Sequence, residues 1–191
     1  MNKPKLSFVM PVRNCVVFVS QTLRSLIKQS LRDVEIICID DYSSDGTYDL
    51  LEFYEKRDKR VRAYKTAEWM GAAWCRNKGN EYARADIICV TDAGDIYHHN
   101  KAKITYNHFD KHPDTDILYH SVNNVDIQGR PQRTQMAVFY DYKHYPRSIS
   151  HPTVAYKKEI VLKYPYRTNC LHTDQYEVLF IELFRAGYKF V

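Results

Sequence analysis

Residues 34–47 read VEIICIDDYSSDGT. An apolar run, residues 34–39, interrupted only by Glu35, stops at two adjacent aspartates and then at a loop dense in turn formers. A strand apolar at nearly every position is buried on both faces, which points to a parallel sheet covered by helices. The loop marks its carboxyl end, and Asp45 or Thr47 can cap the helix carrying Leu50, Leu51 and Tyr54.

The pattern recurs on either side. LSFVM (6–10) is a first short strand, ended by Pro11, and Val19, Leu23, Leu26 and Ile27 then recur at helical spacing with Ser20 as the start. RVRAY (60–64) reads as a weaker third strand, a helix follows from Met70 to Tyr82, and DIICVT (86–91) is a fourth strand. Alternating strands and helices give an α/β fold with a mostly parallel central sheet and helices on both faces. The second half is less regular: a helix over KITYNHFDKH, a strand and hairpin turn over DILYHSVNNVDIQGRP, and an amphipathic helix over DQYEVLFIELFRAGY. It reads as a mixed extension of the same sheet. GYKFV begins another strand where the sequence stops, so residues 1–191 are expected to be a single domain truncated at its C-terminus.

Bulk composition sets limits. The 191 residues fit one large domain, with 45% hydrophobic and 27% charged content. Sixteen tyrosines suit both cores and polar ring-shaped ligands. The net charge of +5 gathers most densely in KRDKR (56–60), at a helix end where cations complement the dipole. No nucleic-acid module accompanies it, so no nucleic-acid partner is expected; weak attraction to phosphate ligands or to an anionic membrane surface stays open. Five scattered cysteines without a C-x-x-C pair, two of them inside apolar runs, suit a reducing cytoplasm. MNKPKLSFVM passes straight into a strand without a signal-peptide pattern, and no apolar stretch approaches the ~20 residues that span a bilayer.

Ligands of open α/β sheets sit at the carboxyl ends of the strands. There the loops PVRN (11–14), DDYSSDG (40–46) and TDAGD (91–95) converge. No G-x-G-x-x-G and no G-K-[ST] occurs, so a nucleotide would be held by carboxylates and amides instead of a glycine-rich cradle. Asp40 and Asp41 can accept hydrogen bonds from a base N–H or ribose hydroxyls, or simply cap a turn. Asp92 and Asp95 are oxygen ligands suited to Mg²⁺ or Mn²⁺, which bind through one or two carboxylates plus substrate phosphates. Capping by Asp95 is the plainer alternative. Arg76, in WCRNKG, can pair with the same diphosphate or lie on a helix surface. His108 and His112 have helical metal-ligand spacing without further ligands nearby, which suits a helix face.

FVMPVRN, EIICIDDYSSDGT, GAAWCRNKGNEYARADIICVTDAGDIY and HTDQYEVLFIELFRAGYK, in this order and spacing, resemble the landmarks of the family 2 glycosyltransferases from Leu6 to Val191. The resemblance implies a GT-A fold and inverting transfer of a sugar from a nucleotide diphosphate, most often a uridine one, to a glycan or lipid-linked acceptor in surface polysaccharide synthesis. It implies cytoplasmic placement, with peripheral association at the inner face of the membrane. Pro11 and Val12 would line the base pocket, with Asn14 in the same donor-binding loop. Asp41 with Asp40 would contact the base or ribose, and Arg76 would lie near the diphosphate. Asp92 would serve both donor and metal, with Asp95 as second metal ligand. Asp174 falls where the family keeps its catalytic base, a position that otherwise reads as a helix cap. His151 and Pro152 fall on the acceptor side. Three positions depart from the family pattern: Cys15 replaces an acidic residue, Gly94 the third carboxylate of D-x-D-D, and Thr173 a glutamate. A metal would then be held chiefly through Asp92 or Asp95. Gly94 and Thr173 motivate the alternative of a catalytically silent nucleotide-sugar binding domain. A sugar-phosphate nucleotidyltransferase would need a glycine-rich loop after the first strand, which PVRN is not.

Overall fold

The computed structural model describes residues 3–125, 131–135, 149–169 and 175–191. Its strands are β1 (Leu6–Val12), β2 (Val34–Asp40), β3 (Val61–Lys65), β4 (Ile87–Val90), β5 (Ile117–Leu118), β6 (Val122–Val125), β7 (Pro131–Gln135) and β8 (Ala155–Lys157). Its helices are α1 (Val16–Ile27), α2 (Thr47–Arg57), α3 (Ala72–Tyr82), α4 (Lys101–Lys111), α5 (Lys158–Lys163) and α6 (Gln175–Arg185). Among the described residues, one six-stranded sheet runs β3-β2-β1-β4-β8-β5, and β6 and β7 form a separate antiparallel pair. The first four strands are mutually parallel, whereas β8 runs antiparallel to both β4 and β5. This is the expected mostly parallel sheet with a mixed extension. Phe190 bridges Ile117 in parallel, which carries the edge one step further.

Alternation along the strands builds two cores. Phe8, Met10, Val12, Ile36, Cys38 and Cys89 pack with Val19, Leu23 and Leu26 of α1, Leu51 of α2 and Phe109 of α4. Val9, Ile37, Ile39, Ile88 and Val90 face the other way, onto Ala73 and Cys75 of α3, Ile160 of α5 and Phe180 and Leu183 of α6. Helices therefore cover both faces, as continuous apolar strands require. Gly79 lets α3 press onto β1: a Cβ there would stand 2.4 Å from Val9 Cγ1.

Glu35 is a charge buried in the middle of this sheet. Glu35 of β2 accepts hydrogen bonds from Ser7 Oγ (2.7 Å), the Arg84 backbone N–H (2.6 Å) and Arg84 Nε (2.8 Å), and pairs with Arg62 (3.1 Å). Burial raises its pKa, but these donors outweigh burial and leave the carboxyl below its ordinary value.

Three expected boundaries shift. β1 does not end at Pro11 but runs to Val12, paired with Asp40. Val12 C=O accepts from Asp41 N–H on the β2 side while Val9 C=O accepts from Thr91 N–H on the β4 side. Pro11 has the parity of Val9 and faces β4, where pairing has already ended at Val9, so its missing N–H costs no ladder bond. Helix α1 starts at Val16, not at Ser20. Its first turn is tied by Asp45 Oδ2, which accepts the Val16 N–H (3.1 Å), while Thr47 Oγ1 accepts the preceding Cys15 N–H (2.9 Å). Asp45 also accepts the Thr47 N–H (3.0 Å), so one carboxylate serves the starts of α1 and α2 together. Helix α3 starts at Ala72, because Met70 and Gly71 give their N–H groups to Asp41 and Gly71 has φ +86°.

Candidate active site

The chain fills β1, β2 and β3 outward and then returns to place β4 on the other side of β1. Loops after β1 and β4 consequently diverge, and an open crevice forms at this switch point. It holds a cleft of about 290 Å³ lined by Pro11, Val12, Arg13, Cys15, Asp41, Trp69, Ala72, Arg76, Asp92 and Ala93. A larger cavity, about 470 Å³, lies by the amino end of β4 between α4 and α5 and gathers none of the residues singled out above.

Of the sequence candidates, Pro11, Val12, Asp41, Arg76 and Asp92 meet on this one wall. Arg76 donates to Asp92 Oδ1 at 2.8 Å and lies 5.8 Å from the centre of the Tyr166 ring. Burial disfavours its charge, but Asp92 and Tyr166 hold the guanidinium cationic. Its Nε is buried and has no hydrogen-bond partner among the described residues. A fixed cation with an uncommitted donor, beside a carboxylate at a strand end, suits an oxyanion ligand.

Asp41 is 3% exposed and spends both oxygens on the chain, accepting Met70 N–H at 2.7 Å and Gly71 N–H at 2.9 Å. It thereby fastens the loop that leads into α3. Asp40 and Asn14 do not line the cleft. Asp40 is fully buried beneath it and accepts the Ser43 N–H (3.0 Å). Asn14, at φ +45°, accepts Ser44 N–H through Oδ1 (3.0 Å) and gives its own N–H to Ser43 Oγ (2.9 Å), joining the two loops.

Asp95 stands outside the lining residues, yet its carboxyl is raised, by burial first and by the charge of Asp92 second, with Lys101 opposing. The Asp92 charge acting on Asp95 marks negative charge that a dication would relieve. No group of three His, Cys, Asp or Glu side chains suited to a metal occurs among the described residues. Asp92 and Asp95 offer two carboxylates, the kind of partial oxygen set that Mg²⁺ or Mn²⁺ complete with substrate phosphates. Gly94 explains the smaller set: its φ is +114°, a region where L side chains are strained, and its N–H donates to Thr22 Oγ1 (2.9 Å).

His151 is 5% exposed, inside an aromatic cluster: Nε2 lies 2.8 Å from Tyr166 Oη, and the ring stacks on Tyr176 at 4.8 Å. Burial, reinforced by Arg76, depresses its pKa well below the ordinary value. It braces Tyr166, hence Arg76, from behind. The His108 and His112 rings lie 4.7 Å apart at a 36° tilt, without a third ligand among the described residues. Asp174 and Thr173 lie outside the described residues. Sequence reasoning passed over Arg13, Trp69 and Tyr166. Trp69 carried one signal, an aromatic two residues before the glycine that precedes a helix at the same sheet edge; Tyr166 carried none, since it reaches Arg76 only through the fold.

An open, mostly parallel sheet with an acidic and cationic cleft at its switch point defines an α/β protein whose ligand site lies at the strand ends. Residues 7–188 match the profile of Glycosyl transferase family 2, and the chain belongs to that family. It is 36% identical over 99 residues to the putative teichuronic acid biosynthesis glycosyltransferase TuaG of Bacillus subtilis, covering 52% of this chain and 39% of that one. Among solved structures, S. aureus TarS residues 1–349 in complex with UDP superposes with a TM-score of 0.75 at 20% identity, over 93% of this chain and 54% of that chain. Mannosyltransferase PcManGT from Pyrobaculum calidifontis, in complex with GDP-Man and Mn²⁺, superposes at 0.74 and 15% identity, over 100% and 55%. At these identities the structural likeness speaks for the GT-A fold. The chain spans 39% of TuaG and just over half of each solved chain. Among the described residues no helix is long and apolar enough to cross a membrane.

Proposed function

We propose that residues 1–191 form the catalytic domain of an inverting glycosyltransferase. It moves a sugar from a uridine diphosphate donor to a hydroxyl of a glycan or lipid-linked acceptor, in surface polysaccharide synthesis at the inner face of the membrane. One observation carries this reading: a single cleft is lined both by Pro11, Val12 and the Trp69 ring and by the Arg76–Asp92 pair. A nucleoside diphosphate has the same two halves, a flat ring and a charged tail. TarS with bound UDP, PcManGT with GDP-Man and Mn²⁺, and the teichuronic acid role in the name of TuaG support donor class and pathway type.

In this mechanism Asp174 removes the acceptor hydroxyl proton as that oxygen attacks the anomeric carbon from the face opposite the diphosphate. The bond from the anomeric carbon to the diphosphate oxygen breaks, its electron pair stays with the leaving group, and the configuration inverts. Arg76 meets the charge that develops there. Asp92 and Asp95 would hold a Mn²⁺ or Mg²⁺ ion, which supplies Lewis-acid neutralisation of the diphosphate.

Calorimetry with UDP, with and without Mn²⁺, tests the donor site: the expected result is binding that Mn²⁺ strengthens and Asp92→Asn weakens. Asp174→Asn is expected to abolish sugar transfer and donor hydrolysis while UDP still binds. Absence of UDP binding under both conditions overturns the reading. Gly94 favours one other reading, a nucleotide-sugar binding domain without turnover, because the chain has no third carboxylate there and its φ of +114° would strain any L side chain. UDP binding without transfer to any acceptor pool and without donor hydrolysis would select that alternative.

A further inference from the structure

We infer that Trp69 is the stacking wall of the nucleobase site and that Arg13 closes over it. The inference rests on the donor-site reading above and assigns the apolar lining of that cleft.

Trp69 is the large aromatic side chain on the cleft wall, and it is 57% exposed at the mouth. The Arg13 guanidinium lies 5.5 Å above the indole centre, and Arg13 Nη1 also donates to the Asp41 carbonyl at 3.1 Å. The indole, more than half exposed, presents ring surface in a cleft that also carries the Arg76–Asp92 pair. A planar, weakly polar ring satisfies such a wall through stacking, and every nucleobase offers one.

The wall is also held in position. Asp41 accepts the N–H groups of Met70 and Gly71, the two residues after Trp69, and Gly71 at φ +86° turns the chain into α3. The loop is thus pinned on the α3 side of Trp69, whose side chain is 57% exposed. A ring sandwiched between two planes needs roughly 7 Å, twice the optimal carbon–carbon separation. The 5.5 Å spacing therefore describes a closed pair that parts by a rotamer change of exposed side chains when a base enters. On this assignment Asp41 is a positioning residue: it acts on the base through the loop that carries Trp69.

The chain has two tryptophans, Trp69 and Trp74, so Trp74→Phe leaves Trp69 as the sole indole reporter. In that protein UDP, and uridine at higher concentration, are expected to quench indole emission saturably, while inorganic pyrophosphate leaves it unchanged. In calorimetry on the otherwise native chain, Trp69→Ala is expected to raise the UDP Kd about ten-fold, within the usual range for loss of a base-stacking partner, and Trp69→Phe to retain most of the affinity. Pyrophosphate binding should be the same in all three proteins. Unchanged UDP affinity in Trp69→Ala, or quenching by pyrophosphate equal to that by UDP, overturns the inference while the donor site stands. Failure of UDP to bind the native chain overturns both. The exposed position of Trp69 keeps the variant folded, which its thermal unfolding curve verifies.

Discussion

Glu35 shows how a single residue can contradict its surroundings and still belong there. A carboxylate inside an apolar strand is tolerated because Ser7, the Arg84 N–H and side chain, and Arg62 all donate to it. Replacing it by Gln removes the charge and strands two arginines, at a cost of about 2 kcal/mol in unfolding free energy. That is below the full figure for a buried pair because Arg84 is 44% exposed. The sign with pH follows from its lowered pKa. Its contribution is complete above the ordinary value of 4.5 and is lost as pH falls through the lower, folded value. Denaturant titrations of the native chain and Glu35→Gln should therefore differ most near neutrality and converge in acid. The sequence displayed Glu35 only as an interruption in VEIICI; its partners come from residues 7, 62 and 84. Candidate site residues divide in the same way. Asp41 and Asp92 were legible because strand ends point at one edge, and Pro11, Val12 and Arg76 through the family resemblance, whereas Asp40 is buried holding Ser43 of its own loop and Asn14 joins the loops after β1 and β2.

Helix α3 is the element that joins core to site. Cys75 and Ala73 anchor it beneath the sheet, Arg76 projects from it into the cleft, and Gly79 sets how closely it approaches β1. Gly79→Ala adds a methyl 2.4 Å from Val9 Cγ1, inside a β-branched side chain that is 1% exposed. Overpacking of up to about 3 kcal/mol outweighs the roughly 1 kcal/mol that Ala regains in helix propensity, so a net loss of about 1–2 kcal/mol is expected in chemical denaturation. Equal or greater stability would show that α3 can shift outward at no cost. Its start at Ala72 was not readable from helical periodicity, because the N–H acceptor that ends the preceding loop, Asp41, lies some thirty residues away in sequence.

At the scale of the whole molecule, folding and donor binding are linked. A ligand at one hundred times its Kd stabilises the folded state by about 2.7 kcal/mol. For a chain of this size, UDP with Mn²⁺ should then raise Tm by roughly 5–11 °C in a thermal-shift measurement. Arg76→Ala should reduce that shift strongly, since Arg76 is the cation that the fold holds in the cleft beside Asp92. The sequence by itself determined the α/β class, the parallel order of helix and strand, and the edge at which ligands gather. Those follow from local periodicity and from the rule that a strand apolar on both faces must be covered. Only the tertiary structure decided that β4 crosses to the far side of β1, that Arg76 lies on Asp92 with Tyr166 behind it, and that Trp69 stands beside Arg13. These depend on contacts between residues 16 to 90 positions apart, which burial and charge pairing select during folding and no local pattern encodes.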